Sequence, residues 1–333
     1  MSQRWDALRS WHHDWAGLRV AMIGLDARGF AVADTVTELG ADVAVVSDGE
    51  HSSDLAQLVD VIGARLVVGL PEAQELVADS LPDVLVVSAG STGHPLVQWA
   101  GENAITVASD IELAWRLRDK NGEPAPWLLT AGGSEAGRAA HLAEAMLLAG
   151  GARVMACGDT TAGVPVLDAL RVPEQWECLI VAVSADDLRY SPSVAAWSAA
   201  CLSSGSGAAV NLLGRVYEGA RVACVYNRAD EATMHMVEEA EVEEGCRAIG
   251  FGAGIPGPSD FGVVEGILCD RAFLEERHGS ALEFGTVDML DDAGLATASG
   301  LNEVLAAAAL ARSFGAPISA LNAALRGLGT ASE

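Results

Sequence analysis

The chain has 333 residues, enough for about two domains of ~150 residues each, and half of them are hydrophobic, as a globular protein requires. Its 46 acidic residues against 20 Lys and Arg leave a formal net charge of −26, which repels phosphate backbones and anionic lipid and argues against nucleic-acid or membrane-surface partners. Lys120 is the only lysine, so any phosphate clamp or Schiff base that needs one must use that residue.

The first segment, residues 1–15, carries Arg4, Arg9, His12, His13 and three tryptophans but no continuous apolar run, so a secretory leader is not expected. No stretch approaches the ~20 apolar residues of a membrane span; the alanine-rich Leu305–Ala311 reads as a buried helix. The six cysteines, at 157, 178, 201, 224, 246 and 269, form no C-x-x-C pair and no metal spacing. They read as small core side chains in a reducing cytoplasm.

Leu18–Gly24 is a buried-strand run ending in glycine, followed by a turn over Leu25–Gly29 and an amphipathic stretch Phe30–Leu39. Gly40 ends that helix and Ala41–Val46 forms a second strand closing on Ser47 and Asp48, a strand–turn–helix–strand unit of the parallel α/β type. Strands follow at Arg65–Val68 and Val84–Val87, then the loop Ser88–Gly93, with His94 and Pro95 opening a helix. Ala104–Val107 reads as a strand and Asp110–Arg118 as a helix. The Pro- and Gly-bearing stretch Asp119–Pro126 has linker composition, which divides the chain into domains at 1–122 and 123–333.

Beyond the linker the alternation resumes: strand Trp127–Thr130, glycine-rich turn Ala131–Gly137, helix Arg138–Ala149, then strands Arg153–Cys157, Cys178–Val183 and Arg221–Tyr226. Val237–Glu244, with five glutamates, reads as a solvated helix face, and Val263–Leu268 with the residues from Asp270 as a hairpin. Helices are expected at Asn302–Phe314 and Ser319–Leu328.

Glu218–Asn227, Glu241–Phe251 and Gly262–Phe273, supported by Ser109–Leu117, Val164–Asp168 and Leu305–Arg312, resemble the Mur ligases that add D-glutamate to UDP-N-acetylmuramoyl-L-alanine, the MurD family, of actinobacterial type. The resemblance runs through essentially the whole chain. It implies an α/β architecture: a Rossmann-like N-terminal domain of UDP-sugar-binding type, then a P-loop-type central Mur ligase domain. By the resemblance, the family's third, C-terminal domain is expected to lie outside this sequence.

The resemblance also implies where catalytic residues should stand, and many positions depart from the pattern. The family's phosphate loop, G-T-N-G-K-T-T, aligns with Gly132, Gly133, Ser134, Glu135, Ala136, Gly137 and Arg138. Ala136 therefore takes the place of the clamp lysine, Gly137 that of the metal-binding threonine, and Glu135 puts a carboxylate where phosphate belongs. Ala182 stands at the magnesium carboxylate, Leu213 at the modified lysine, and Ala199–Gly207 contains no histidine ligand. Ser299–Glu303 replaces a nucleotide-contacting H-N-x-x-N, while Asn227 and Asp230 remain on the adenine side. ATP and Mg are accordingly expected to be lost and no catalytic residue or metal site remains.

The UDP-sugar side keeps its layout better: Gly24, Leu25, Asp26, Ala27, Arg28 and Gly29 match the first loop, Ser47 and Asp48 the uracil side, and Ser88, Gly90 and His94 the following loop. Asp26 replaces the middle glycine, and Arg28 is positioned by sequence to offset its charge and bind phosphate. That domain could take a UDP-muramoyl-type ligand, another nucleotide, or nothing.

The residues thus favour a catalytically inactive scaffold or regulatory protein of cell-wall precursor synthesis, with a protein partner or a second copy covering the face left by the third domain. Two alternatives stay open: an enzyme with replaced chemistry, using His94, Asp159 or the Asp186–Asp187 pair, and a residual ligase.

Overall fold

The computed structural model describes residues 3–49, 52–158, 163–207 and 209–330. The chain divides into two compact units. Unit 1 comprises Met1–Pro124 together with Val164–Glu174 and Asp186–Val194; unit 2 comprises Ala125–Gly163, Gln175–Ala185 and Ala195–Glu333. The break at Pro124 lies beside the boundary expected after residue 122, but two later segments belong to unit 1, which composition does not signal.

Unit 1 is built on β1 (Arg19–Ile23), β2 (Asp42–Ser47), β3 (Arg65–Val68), β4 (Val84–Val87) and β5 (Thr106–Ser109), in the order β3-β2-β1-β4-β5 with every pair parallel. Their Val, Ile and Leu runs are what a sheet covered on both faces demands. The order reverses direction at β1, so the loops after β1 and β4 open the crevice in which such sheets bind ligands. Helices Ala27–Glu38, Pro95–Glu102 and Asp110–Leu117 match the expected segments, whereas Ser53–Val61 and Leu70–Asp79 were not anticipated.

Unit 2 carries β6 (Trp127–Ala131), β7 (Val154–Cys157), β8 (Cys178–Ala182), β9 (Ser198–Cys201), β10 (Ala223–Asn227), β11 (Arg247–Phe251), β12 (Asp260–Val264), β13 (Ile267–Asp270) and β14 (Leu282–Thr286). Their order is β14-β13-β12-β11-β10-β9-β6-β8-β7, parallel from β7 to β12 and antiparallel beyond. The core lies between this sheet and helices Glu135–Ala149 and Ala298–Ser313. Val304–Ala311 is fully buried on every side, as expected for Leu305–Ala311; alanine side chains let such a helix lie close to its neighbours.

Two local expectations are corrected. The helix Glu231–Glu239 stops inside the glutamate run, and residues 240–245 form an irregular segment, exposed from Glu241 on. Carboxylates packed at the negative end of a helix dipole, with like charges three and four apart, disfavour its continuation. The hairpin exists, but its arms are β12 and β13; Glu265 and Gly266, both at positive φ, make the two-residue turn within Val263–Leu268. The residues after Asp270 do not form the second arm; they turn, with the Asp270 carboxylate accepting from the Ala272 and Phe273 amides at 2.8 and 2.9 Å.

Candidate functional site

In unit 1 the residues singled out from sequence gather at the C-terminal ends of β1, β2 and β4. Gly24 follows β1 at φ 98°, and a Cβ there would lie 2.5 Å from the Ser91 hydroxyl; at Gly29 it would lie 2.3 Å from the Gly24 carbonyl. Both glycines are set by close approach of the turn, the helix and the loop after β4. Leu25 is buried beneath the turn while Asp26 and Ala27 are exposed. Asp26 caps the helix Ala27–Glu38, its carboxylate accepting from the Gly29 amide at 2.7 Å, so part of the helix's anion-attracting end is already used internally.

Ser47 is buried and accepts from the Gly49 amide through its hydroxyl at 3.2 Å. His94 caps the helix Pro95–Glu102: its Nδ1 accepts from the Leu96 amide at 3.2 Å, which leaves the proton on Nε2, 3.2 Å from the Asp48 carboxylate. Asp48 and His94 thus join the loops after β2 and β4. Gly90 is exposed, and the Ser88 hydroxyl is buried at the crevice beside Gly24 with no hydrogen-bond partner. Orphaned buried hydroxyls are uncommon, and this one lies where a ligand of the sheet edge would sit.

Arg28 departs from its expected role. Its guanidinium is turned inward, 4% exposed, with Nε and Nη2 donating to the two Asp110 carboxylate oxygens at 2.7 and 2.5 Å and Nη2 also reaching Asp187 at 2.6 Å. Burial opposes its charge, but the two aspartates outweigh that and raise its pKa; burial pushes the Asp110 carboxyl up despite the pull of Arg28. Asp186 and Asp187 lie on the short helix Ala185–Arg189 and are committed elsewhere: Asp186 accepts from Thr92 at 2.8 Å and Asp187 holds Arg28. Asp159 falls outside the described residues.

In unit 2 the loop after β6 has its glycines, but they serve different ends. A Cβ on Gly132, at φ 108°, would meet the Ser203 backbone nitrogen at 2.5 Å, whereas Gly133 has open space around it. Ser134 precedes the helix Glu135–Ala149 with no side-chain cap bond. Ala136 and Gly137 are buried in its first turn. Glu135 and Arg138 are tied to the helix Ala298–Ser313. The Ser299 hydroxyl lies 2.6 Å from Glu135 and 2.8 Å from Glu303, and Arg138 Nε lies 2.9 and 3.0 Å from the two Glu303 oxygens. One hydroxyl proton can serve only one of the two carboxylates at a time.

Ala182 is buried at the end of β8, and Leu213 is buried in the helix Ala209–Leu213, so both are core side chains. Asn227 donates to the Leu202 carbonyl at 2.9 Å and accepts from the Ala229 amide at 2.9 Å. Asp230 caps the helix Glu231–Glu239 and accepts from the Ser204 amide at 2.7 Å and hydroxyl at 3.1 Å. Both residues hold unit 2's own loops together. Among the described residues no cluster of three His, Cys, Asp or Glu could hold a metal. The charged side chains of this loop are committed within unit 2, Arg138 to Glu303 and Glu135 to Ser299. Lys120, in unit 1, pairs with Glu38 at 3.8 Å and lies over the Trp11 ring.

Residues that sequence reasoning passed over include Asp110, Glu112 and Glu303, all buried. Glu112 accepts from Arg116 at 2.8 Å and from the Ser193 amide at 3.0 Å. Its signal was present: Ser109 and Glu112 have the spacing of a capping box, and Ser109 does accept from the Glu112 amide.

The chain is 48% identical over 94% of its length to the UDP-N-acetylmuramoylalanine–D-glutamate ligase of Leifsonia xyli subsp. xyli, covering 64% of that protein. It is 40% identical to the enzyme of that name from Streptomyces avermitilis, with 94% of this chain and 67% of the relative covered. The chain belongs to this ligase family. It spans about two thirds of the length of these relatives. No protein-family model matches it. Among solved structures, it is similar to the UDP-N-acetylmuramate:L-alanyl-gamma-D-glutamyl-meso-diaminopimelate ligase from Neisseria meningitides, at TM-score 0.57 and 15% identity over 93% of this chain and 98% of that one. A murein peptide ligase from Psychrobacter arcticus matches at TM-score 0.55 and 10% identity, over 93% and 68%. These two show the Mur ligase fold, with its parallel-sheet Rossmann-like and P-loop-type domains.

The expectation of a catalytically inactive scaffold is overturned by the curated relatives. Nearly half of the aligned positions, across 94% of the chain, are shared with a protein named as a ligase, and that whole-chain match points to a ligase despite the departures from the family pattern. No helix among the described residues is long and apolar enough to cross a membrane.

Proposed function

We propose that this chain is the UDP-muramoyl-binding and central-domain portion of an amide-forming ligase that joins D-glutamate to UDP-N-acetylmuramoylalanine. The observation that carries the reading is the 48% identity over 94% of the chain to a protein of that name. Unit 1 supports it. The glycine turn after β1, the orphaned Ser88 hydroxyl and the Asp48–His94 pair line one edge of a parallel sheet, where a nucleotide-linked sugar docks. The ligand's hydroxyls can give Ser88 the partner it lacks and can donate to Asp48. Arg28 is a positioning residue, holding the turn against Asp110 and Asp187. The reading places the protein in the cytoplasm, with its free thiols reduced.

The phosphate loop has no lysine and no free cation among its described residues. Loss of one preorganised charge-stabilising donor costs on the order of 10²–10³ in turnover, so activity below that of a lysine-bearing relative is expected. The test is an assay of the protein with UDP-N-acetylmuramoylalanine, D-glutamate, ATP and magnesium, following the amide product by mass and phosphate release. Formation of product above a heat-killed control supports the reading. A folded protein that binds none of the substrates and forms no product overturns it.

A further inference from the structure

Four of the six cysteines behave as the sequence suggests. Cys157, Cys178, Cys201 and Cys269 are buried, and burial raises each thiol, Cys201 to about 12. Cys178, Cys201 and Cys269 give their S–H to backbone carbonyls. Such thiols are poor nucleophiles.

Cys224 and Cys246 are different. Cys224 lies on β10, and Cys246 immediately precedes the parallel neighbour β11, held by a turn in which its amide donates to Glu243 at 3.0 Å. Their sulfurs are 3.8 Å apart. Cys246 is half-buried and follows the exposed segment 241–245, so small oxidants can reach it; Cys224 is buried behind it. We propose that Cys224 and Cys246 form a reversible disulfide, with Cys246 the attacking thiol and Cys224 the resolving one. Hydrogen bonding from Cys224 lowers the Cys246 pKa, and the same bond makes Cys224 keep its proton.

With hydrogen peroxide as oxidant, the Cys246 thiolate attacks one peroxide oxygen. The O–O bond breaks, the sulfur becomes a sulfenic acid, and hydroxide leaves and takes up a proton as water. Cys224 then attacks that sulfur: the S–S bond forms, the S–O bond breaks, and the departing hydroxide takes the Cys224 proton. Two thiols and one peroxide become one disulfide and two waters. The sulfurs must close from 3.8 Å to about 2.05 Å for the bond to form. The bond would covalently close the segment Cys224–Cys246, which carries Asn227, Asp230 and the helix Glu231–Glu239.

The test treats the full chain with hydrogen peroxide, alkylates the remaining thiols and maps the peptides by mass. The expected result is loss of the mass of two hydrogen atoms, a cross-link between the peptides of Cys224 and Cys246, and its reversal by dithiothreitol. Cys246→Ser should leave Cys224 unoxidised, and Cys224→Ala should let Cys246 run on to sulfinic acid. Each variant is checked for folding by circular dichroism, and the wild-type cross-link is read independently of both. Sulfinic Cys246 without a cross-link in the wild type, or both thiols fully alkylatable after treatment, would overturn the proposal.

Discussion

Arg28 is clamped by Asp110, with its Nε and Nη2 on the two oxygens of one carboxylate in a site from which water is excluded. A second buried carboxylate, Asp187, shares the same guanidinium. Removing the cation strands two buried acids, which is far costlier than losing a surface ion pair. Arg28→Met is expected to lower unfolding free energy by about 3–5 kcal/mol. Asp187→Asn, which leaves one acid per cation, should cost much less. Urea denaturation of the two variants checks the order.

The same cluster sets a pH dependence. Burial raises the Asp110 pKa in the folded chain above its ordinary 3.8, so the folded state holds that proton to higher pH than the unfolded state does. The contribution to stability is therefore present in full below the ordinary value and is lost as pH rises through the folded one. Asp110→Asn carries no such proton. Its stability relative to wild type should improve as pH rises from about 4 and then level off. Parallel stability curves for the two proteins across that range would count against the assignment.

The two loop glycines of unit 2 should respond differently to alanine. At Gly132 the new methyl meets Ser203 backbone and the φ is 108°, so the loop must move; at Gly133 only the positive φ is strained. Gly133→Ala is expected to cost about 1 kcal/mol and Gly132→Ala clearly more, read as the difference in thermal midpoint.

Asp26 sits where the family pattern has a glycine, and its charge opposes a diphosphate. Asp26→Gly loses a helix cap worth about 0.5–2 kcal/mol. It should nonetheless tighten binding of a UDP-linked ligand by roughly tenfold, since removing an exposed like charge near a phosphate is worth on the order of 1–2 kcal/mol. Calorimetric titration of both proteins with UDP-N-acetylmuramoylalanine measures it; unchanged affinity would show that the diphosphate lies away from the turn.

Among the loop residues of unit 2, Arg138 is half-exposed while its partner Glu303 is fully buried. Arg138→Ala should destabilise the fold by about 1–3 kcal/mol through the stranded carboxylate, and Arg138→Ala with Glu303→Gln should recover most of it. Chemical denaturation of single and double variants reads the coupling.

Much of the scaffold was legible because buried parallel strands write themselves as unbroken Val, Ile and Leu runs. Arg65–Val68 and Val84–Val87 were located to the residue, and the glycines after β1 marked the ligand edge of unit 1. By contrast β9, Ser-Ala-Ala-Cys, lies in the middle of the nine-stranded sheet with every residue fully buried, yet small side chains of weak β preference give no strand signal. The lone lysine was likewise visible in composition, but only the fold showed that Ala136 and Leu213 are packed core.

The sequence by itself determined the family and the alternation of strands and helices, because these depend on residue identity and local periodicity. Only the tertiary structure decided what the remaining charged residues do. Arg28 was read as a phosphate ligand and is a buried clamp; Asp187 looked like half of a reactive pair and is its counter-ion; Cys224 and Cys246 looked like filler and stand 3.8 Å apart. The physical reason is common to all three. A charge or a thiol takes its role from what surrounds it within a few ångströms, and those neighbours come from distant parts of the chain.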